Sequence, residues 1–347
     1  MDAFVDVAVI GAGQAGLSAG YFLRRSPLSF AIFDHAPRPG GAWQFRWPTL
    51  TLGATHNVHD LPGLPLDDRD PARPASEVVS EYFARYEAAF GLDVRRPVDV
   101  TSVTDGPGGL TVATSAGEYG ARALINATGT WDRPFWPYYP GRETFAGRHL
   151  HTADYRGPDA FAGKRVVVVG GGASAVQALL EIAPVAAATA WVTRRPPVWN
   201  EGPFDAERGR ASVARVAERV RRGLPPGSVV GATGLTLTAD VRAGIAAGVL
   251  RRRPMFARIV PSGVVWADGT EFATDVVLWA TGFRAALDHL APLALRGPGG
   301  GIAMDGTRVA SDPRVHLLGY GPSASTIGAG RAARTAVRDL GRLLVPA

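Results

Sequence analysis

The sequence predicts an α/β fold in which two Rossmann-type units are nested, one inserted into the other, and three observations predict it. Val5 to Asp34 reads VDVAVIGAGQAGLSAGYFLRRSPLSFAIFD: an apolar run, a glycine turn, a helical repeat and a second apolar run. Arg165 to Arg195 repeats that grammar around Gly170-Gly171-Gly172-Ala173-Ser174-Ala175. Two similar strands close alike, on Ala127-Thr128-Gly129 and Ala280-Thr281-Gly282.

In the first unit Gly11 permits the tight turn, Gly13 lets the backbone approach a pyrophosphate, and Gly16 lets helix and strand pack closely. The helix N-terminus turns free N–H groups and a positive dipole end toward the phosphates. Asp34, ending the second strand, is placed to accept from the ribose hydroxyls of an adenosine. A glycine turn alone is weak, but strand, helix and acid at this interval make dinucleotide binding the reading. Next, Gly40-Gly41 and Trp43 lie in a loop that a bound nucleotide passes, and Phe45 to Pro65 is a long ordered loop rich in Pro, His and aromatics. Ser76 to Phe90 sets Val78, Val79, Tyr82, Phe83, Tyr86 and Phe90 on one helical face, which reads as core. Alternating segments at Asp93 to Val103, Gly109 to Thr114 and Glu118 to Ile125 suggest a small β-layer, with a turn at Gly106 to Gly109.

The stretch WDRPFWPYYPG, Trp131 to Gly141, reads as a crossing segment between domains. The second unit ends in Arg194-Arg195 instead of an acid; guanidinium groups there suit a 2′-phosphate, so its ligand is expected to be NADPH, held by Gly170, Gly172, Ser174 and the two arginines. Ala206 to Arg222 reads as a surface helix with a solvated basic face, and Arg251-Arg252-Arg253 as a solvated loop. Gly263 to Trp266 with Asp268-Gly269 suggests a hairpin, and Val276 to Ala280 a buried strand. After a strand at Val315 to Leu318, a helix starting near Gly328 offers N–H groups and a dipole to an electron-rich ring. An acid-ended unit followed by an arginine-ended one implies a flavoprotein reduced by NADPH. The expected domains are a discontinuous FAD-binding domain, 1–150 with 284–347, and an NADPH-binding domain, 151–283.

Composition narrows the class. At 347 residues and 46% apolar content the chain can bury a large core in two domains. It contains no cysteine, which excludes disulfide staples, thiolate metal sites and a C-x-x-C redox pair. The formal charge of +6 comes from arginines spread along a chain rich in Ala, Gly and Pro, so no nucleic-acid patch is expected. With neither a leader pattern nor an apolar run long enough to span a bilayer, a cytoplasmic setting is expected. No metal site is expected, and the residues leave the oligomeric state open, a homodimer included.

The ordered motif set resembles the class B flavin-dependent monooxygenases, the group of flavin-containing, YUCCA-type and Baeyer–Villiger monooxygenases. The carrying motifs are GAGQAG at Gly11 to Gly16, GGAW at Gly40 to Trp43, Phe145-x-Gly147-x-x-x-His151-x-x-x-Tyr155, and GGGASA at Gly170 to Ala175. NATG at Asn126 to Gly129, ATGF at Ala280 to Phe283 and GAGRAAR at Gly328 to Arg334 also fit, so the resemblance covers nearly the whole chain. Tyr155 stands where Baeyer–Villiger members usually carry Trp, which leans the match toward heteroatom-oxygenating or YUCCA-like members. The resemblance implies FAD at Gly11, Gly13, Gly16 and Asp34 with Trp43 beside the flavin, cofactor binding also at Gly41, Gly129, Thr281, Gly282 and Gly328, reduction by NADPH, and delivery of one oxygen atom from a flavin hydroperoxide to a small organic substrate. It implies catalytic roles for His151, which would couple nicotinamide positioning to the flavin, and for His56 and Asn57 beside the peroxide. One departure bears on the chemistry: Gly53 occupies a position where the family commonly has a polar side chain. That slightly favours an NADPH:acceptor reductase or oxidase, while the His151 fingerprint opposes it; a non-catalytic flavin or NADPH sensor is the remaining reading.

Overall fold

A computed structural model of the chain describes residues 3–55, 58–201, 206–227, 234–324 and 326–345. It divides into two compact units, Met1–Asp132 with Val213–Gly227 and Ala285–Ala347, and Arg133–Ser212 with Ser228–Arg284. No described helix is long and apolar enough to cross a membrane.

In the first unit, β1 (Ala3–Ile10) lies at the centre of a nine-stranded sheet, between β2 (Phe30–Phe33) and β6 (Gly117–Asn126), with Val9 opposite both Ile32 and Ile125. β3 (Val94–Arg95) and the strand Asp312–Leu317 extend the parallel run on either side, and β4 (Val100–Gly106) and β5 (Gly109–Thr114) add an antiparallel layer to β6. Because both faces are covered, the central strand is continuously apolar: Val7, Ala8 and Val9 are fully buried. α1 (Gln14–Leu23) returns to β2, and α2 (Ala75–Phe90) stops at Gly91, whose φ of +58° is left-handed. As expected, Val78, Val79, Tyr82, Phe83 and Tyr86 of α2 are core. Their hydroxyls do more than the apolar stripe discloses. Tyr82 Oη accepts from Leu61 N–H at 2.7 Å and donates to the Leu64 carbonyl at 2.6 Å, while Tyr86 donates to the Pro62 carbonyl at 2.7 Å, pinning the end of the long loop.

The second unit is built on a parallel five-stranded sheet ordered Arg252–Arg253, β9 (Ala188–Val192), β8 (Arg165–Val169), Val276–Trp279 and β7 (Arg148–His151). α3 (Ala173–Ile182) joins β8 to β9. β7 pairs with Val276–Trp279 and so lies in the second unit. The basic helix, observed at Ala206–Arg221, sends Val220 into the core of the first unit beside Leu287 and Ile302. The hairpin near Gly263 is one part of a three-stranded antiparallel sheet. Arg252–Arg253 is not a solvated loop. Its backbone pairs with Trp191 and Val192, Arg252 donates through Nε and Nη2 to the hydroxyl and carbonyl of Thr193, both at 3.0 Å, and the Arg253 guanidinium lies 4.3 Å over the Trp266 ring.

Candidate dinucleotide sites

The first glycine turn is shaped by what cannot fit in it. A Cβ on Gly16 would lie 1.8 Å from the Gly11 carbonyl oxygen, and Gly11 itself has a φ of +95°, so helix and strand meet only without side chains. Gly13 differs: it begins α1 with no side-chain cap among the described residues, and a Cβ there would meet only the Gly41 Cα, at 3.8 Å. The first-turn N–H groups therefore face an open cradle of the kind a pyrophosphate fills. Gly41, with φ +51°, leans on that cradle and opens the short helix Gly41–Phe45 that carries the half-buried Trp43. Asp34 is 4% exposed; its Oδ2 accepts from Ala12 N–H and its Oδ1 from Ala36 N–H, each at 2.8 Å. Each oxygen keeps a second lone pair, which is what a ribose hydroxyl can use.

The second turn repeats the geometry. A Cβ on Gly170 would lie 2.2 Å from the Ala280 carbonyl oxygen, and α3 starts at Gly172 with no side-chain cap among the described residues. Ser174 lies in its first turn, half-buried. Beyond β9, Arg194 and Arg195 are exposed, and the Thr193 hydroxyl donates to the Arg195 carbonyl at 2.6 Å, fixing the turn that presents them. Arg252 braces the same threonine, a contact that a run of three arginines gave no hint of.

The two Ala-Thr-Gly motifs do equivalent work. Thr128 donates to the Ala286 carbonyl at 2.7 Å, and Thr281 donates to the Phe135 carbonyl. Gly129 and Gly282, at φ +66° and +77°, then accept from Ala286 N–H and Phe135 N–H, so each motif fastens a neighbouring chain segment within its own unit. Asn126 is oriented from beneath: its Oδ1 accepts from His289 Nε2 at 2.7 Å while its Nδ2 donates to the Thr128 hydroxyl at 3.0 Å. Burial holds the His289 pKa down to about 4. Gly328 lies in the first turn of the helix Thr326–Leu344.

His151 is fully buried, and both of its ring nitrogens are engaged. Nδ1 accepts from Ala153 N–H at 3.1 Å, so the proton sits on Nε2, which donates to the Gly282 carbonyl at 3.1 Å. Burial pulls its pKa below the ordinary imidazole value. The ring is a neutral strut between β7 and the Thr281-Gly282 turn. His56 and Asn57 lie outside the described residues. Gly53 sits in the short helix Leu52–Ala54, and a Cβ on it would lie 2.9 Å from Pro71 Cβ and 3.1 Å from the Pro71 carbonyl oxygen, so a larger residue at this position would have to displace Pro71. Arg46, which the sequence did not single out, is half-buried, with its guanidinium 4.5 Å over the Trp131 ring; burial lowers its pKa to about 10.

Residues 8–208 match the family described as pyridine nucleotide-disulphide oxidoreductase. Along its whole length the chain resembles the flavin-containing monooxygenase from Stenotrophomonas maltophilia, at 42% identity and a TM-score of 0.83, covering 98% of each chain. The chain belongs to the flavin-containing monooxygenases of that family. FAD and NADPH are the cofactors of these enzymes, and the two cradles above fit such groups. The wider family's description names disulphide oxidoreductases, and this sequence contains no cysteine. An uncharacterized CzcO-like oxidoreductase of Geobacillus kaustophilus is 32% identical over 184 residues, 52% of each chain, and an indole-3-pyruvate monooxygenase of Oryza sativa is 30% identical over 190 residues, 54% of this chain and 47% of that one. The chain spans about half the length of the curated relatives it matches.

Proposed function

We propose that the chain is an FAD-dependent monooxygenase, reduced by NADPH, that places one atom of O2 in a small organic substrate bearing a nucleophilic heteroatom or a carbonyl and releases the other as water. Bound and reduced, FAD supplies the oxygen activation. The chain's part is to bind, orient and exclude water. The uncapped start of α1 and Gly13 receive the FAD pyrophosphate, with Asp34 on the adenosine ribose and the Gly41–Trp43 turn, Gly129 and Gly328 along the rest of the cofactor. The uncapped start of α3 receives the NADPH pyrophosphate, Ser174 adds a hydroxyl to that turn, and Arg194 and Arg195 take the 2′-phosphate. His151, neutral with its one ring proton held on the Gly282 carbonyl, orients the Thr281-Gly282 turn and transfers no proton. The single observation behind this reading is the pair of like turns, one followed by a buried carboxylate and the other by two exposed guanidinium groups. The test is anaerobic addition of coenzyme to the purified yellow protein. Rapid bleaching by NADPH, and slower bleaching by NADH, is expected; a flavin that neither coenzyme bleaches would refute the proposal.

A further inference from the structure

Asp34 sits in a chain of charges that no sequence motif announces. Its Oδ2 lies 3.9 Å from Arg96 Nη2, and the Arg96 side chain is 12% exposed. Glu87 of α2, 11% exposed, holds that guanidinium with two hydrogen bonds, Nη1 to Oε2 at 2.6 Å and Nη2 to Oε1 at 2.9 Å. Arg96 Nε is buried without a hydrogen-bond partner among the described residues. Stability is a poor explanation for such a group, since apolar residues often replace a buried ion pair at no loss and an orphaned buried donor is itself a cost. Position is a better one. The Asp34 oxygen nearest Arg96 is the one that accepts from Ala12 N–H, inside the glycine turn.

We infer that Glu87 and Arg96 are positioning residues for the FAD turn: the guanidinium, fixed by Glu87, keeps Asp34 rotated so that Oδ2 stays on Ala12 N–H and the turn keeps its phosphate-binding shape. Without Arg96 the Oδ2 side of the buried carboxylate loses its guanidinium, His35 Nδ1 remains 3.8 Å from Oδ1 on the other side, and the carboxylate turns away from Ala12 so that the glycine turn loses an anchor. The inference rests on the placement of FAD at the first turn.

The experiment is FAD titration of the FAD-stripped full chain, read by flavin fluorescence alongside the melting temperature. Arg96→Met with Glu87→Met removes the pair at similar volume, so the chain is expected to fold with a near-normal melting temperature and to bind FAD roughly tenfold more weakly. In an Asp34→Asn background the same two changes are expected to alter affinity by less than about twofold, because the residue they act through is already lost. A folded double variant with wild-type FAD affinity, or one showing the same loss in the Asp34→Asn background, overturns the inference. Should the double variant not fold, Arg96→Lys decides. Lysine keeps the charge but cannot fork between both carboxylates, so a severalfold loss of FAD affinity that depends on Asp34 is expected, and wild-type affinity overturns the inference. A wild-type chain that takes up no FAD would overturn the cofactor placement and this inference together, whereas normal uptake that ignores Arg96 overturns this inference alone.

Discussion

Arg194 and Arg195 extend into solvent from a turn held by Thr193, so their charge is available to a ligand and contributes little to the core. Arg194→Ala with Arg195→Ala is expected to lower kcat/KM for NADPH by roughly tenfold or more and for NADH by less than about threefold, the difference being the charge-assisted bonds to the 2′-phosphate. Equal losses in steady-state rates with both coenzymes would remove that role. Buried histidines carry a second expectation. His289 and His316 are pushed down to about 4 by burial, so between that value and 6.5 the unfolded chain binds more protons than the folded one. Stability should therefore fall as pH drops from about 6.5 toward 4, by roughly 2–3 kcal/mol for each histidine. Denaturant melts at pH 7 and pH 4.5 check this, and His289→Gln should remove the share of the difference due to His289 while that of His316 remains. The sequence disclosed Asp34 and the arginine pair because each ends a strand at a fixed interval from a glycine turn. Arg96, Arg252 and His289 escaped because Asp34, Thr193 and Asn126, the partners that give them their roles, lie far away along the chain, which no local spacing encodes.

The two glycine turns were legible as elements because strand, turn and helix succeed one another without insertion. Their glycines separate into two kinds. Gly16 is held by the protein itself, whereas the open side of Gly13 is held for a ligand. Gly13→Ala is accordingly expected to change stability of the FAD-free chain by no more than about 0.5 kcal/mol while weakening FAD roughly tenfold or more; unchanged affinity in a flavin titration would mean that no phosphate comes close there. The loop after GGAW was harder to read. Its order comes from Tyr82 and Tyr86 hydroxyls on a helix that periodicity marks only as core. The Gly53 departure also takes on a different meaning in the structure. With Pro71 against it, Gly53→Asn is expected to cost about 1–3 kcal/mol and not to raise the ratio of oxygenated product to hydrogen peroxide. A stable Gly53→Asn chain with a higher ratio would show that the position serves the chemistry after all.

Over the whole molecule, the nested order of two dinucleotide units was predictable because each carries its own turn. The stretch from Arg133 to β7 belongs to the second unit and Val213–Gly227 to the first, and in both cases pairing or burial far along the chain decides membership. Family membership narrows the cofactors to FAD and NADPH. The most direct measurement is aerobic turnover of the purified chain with NADPH under 18O-labelled O2, over a panel of amines, sulfides and ketones, with hydrogen peroxide measured in parallel. A product heavier by one labelled oxygen atom, formed in proportion to the NADPH consumed, is the predicted result; NADPH consumption that appears entirely as hydrogen peroxide with every compound in the panel would contradict it.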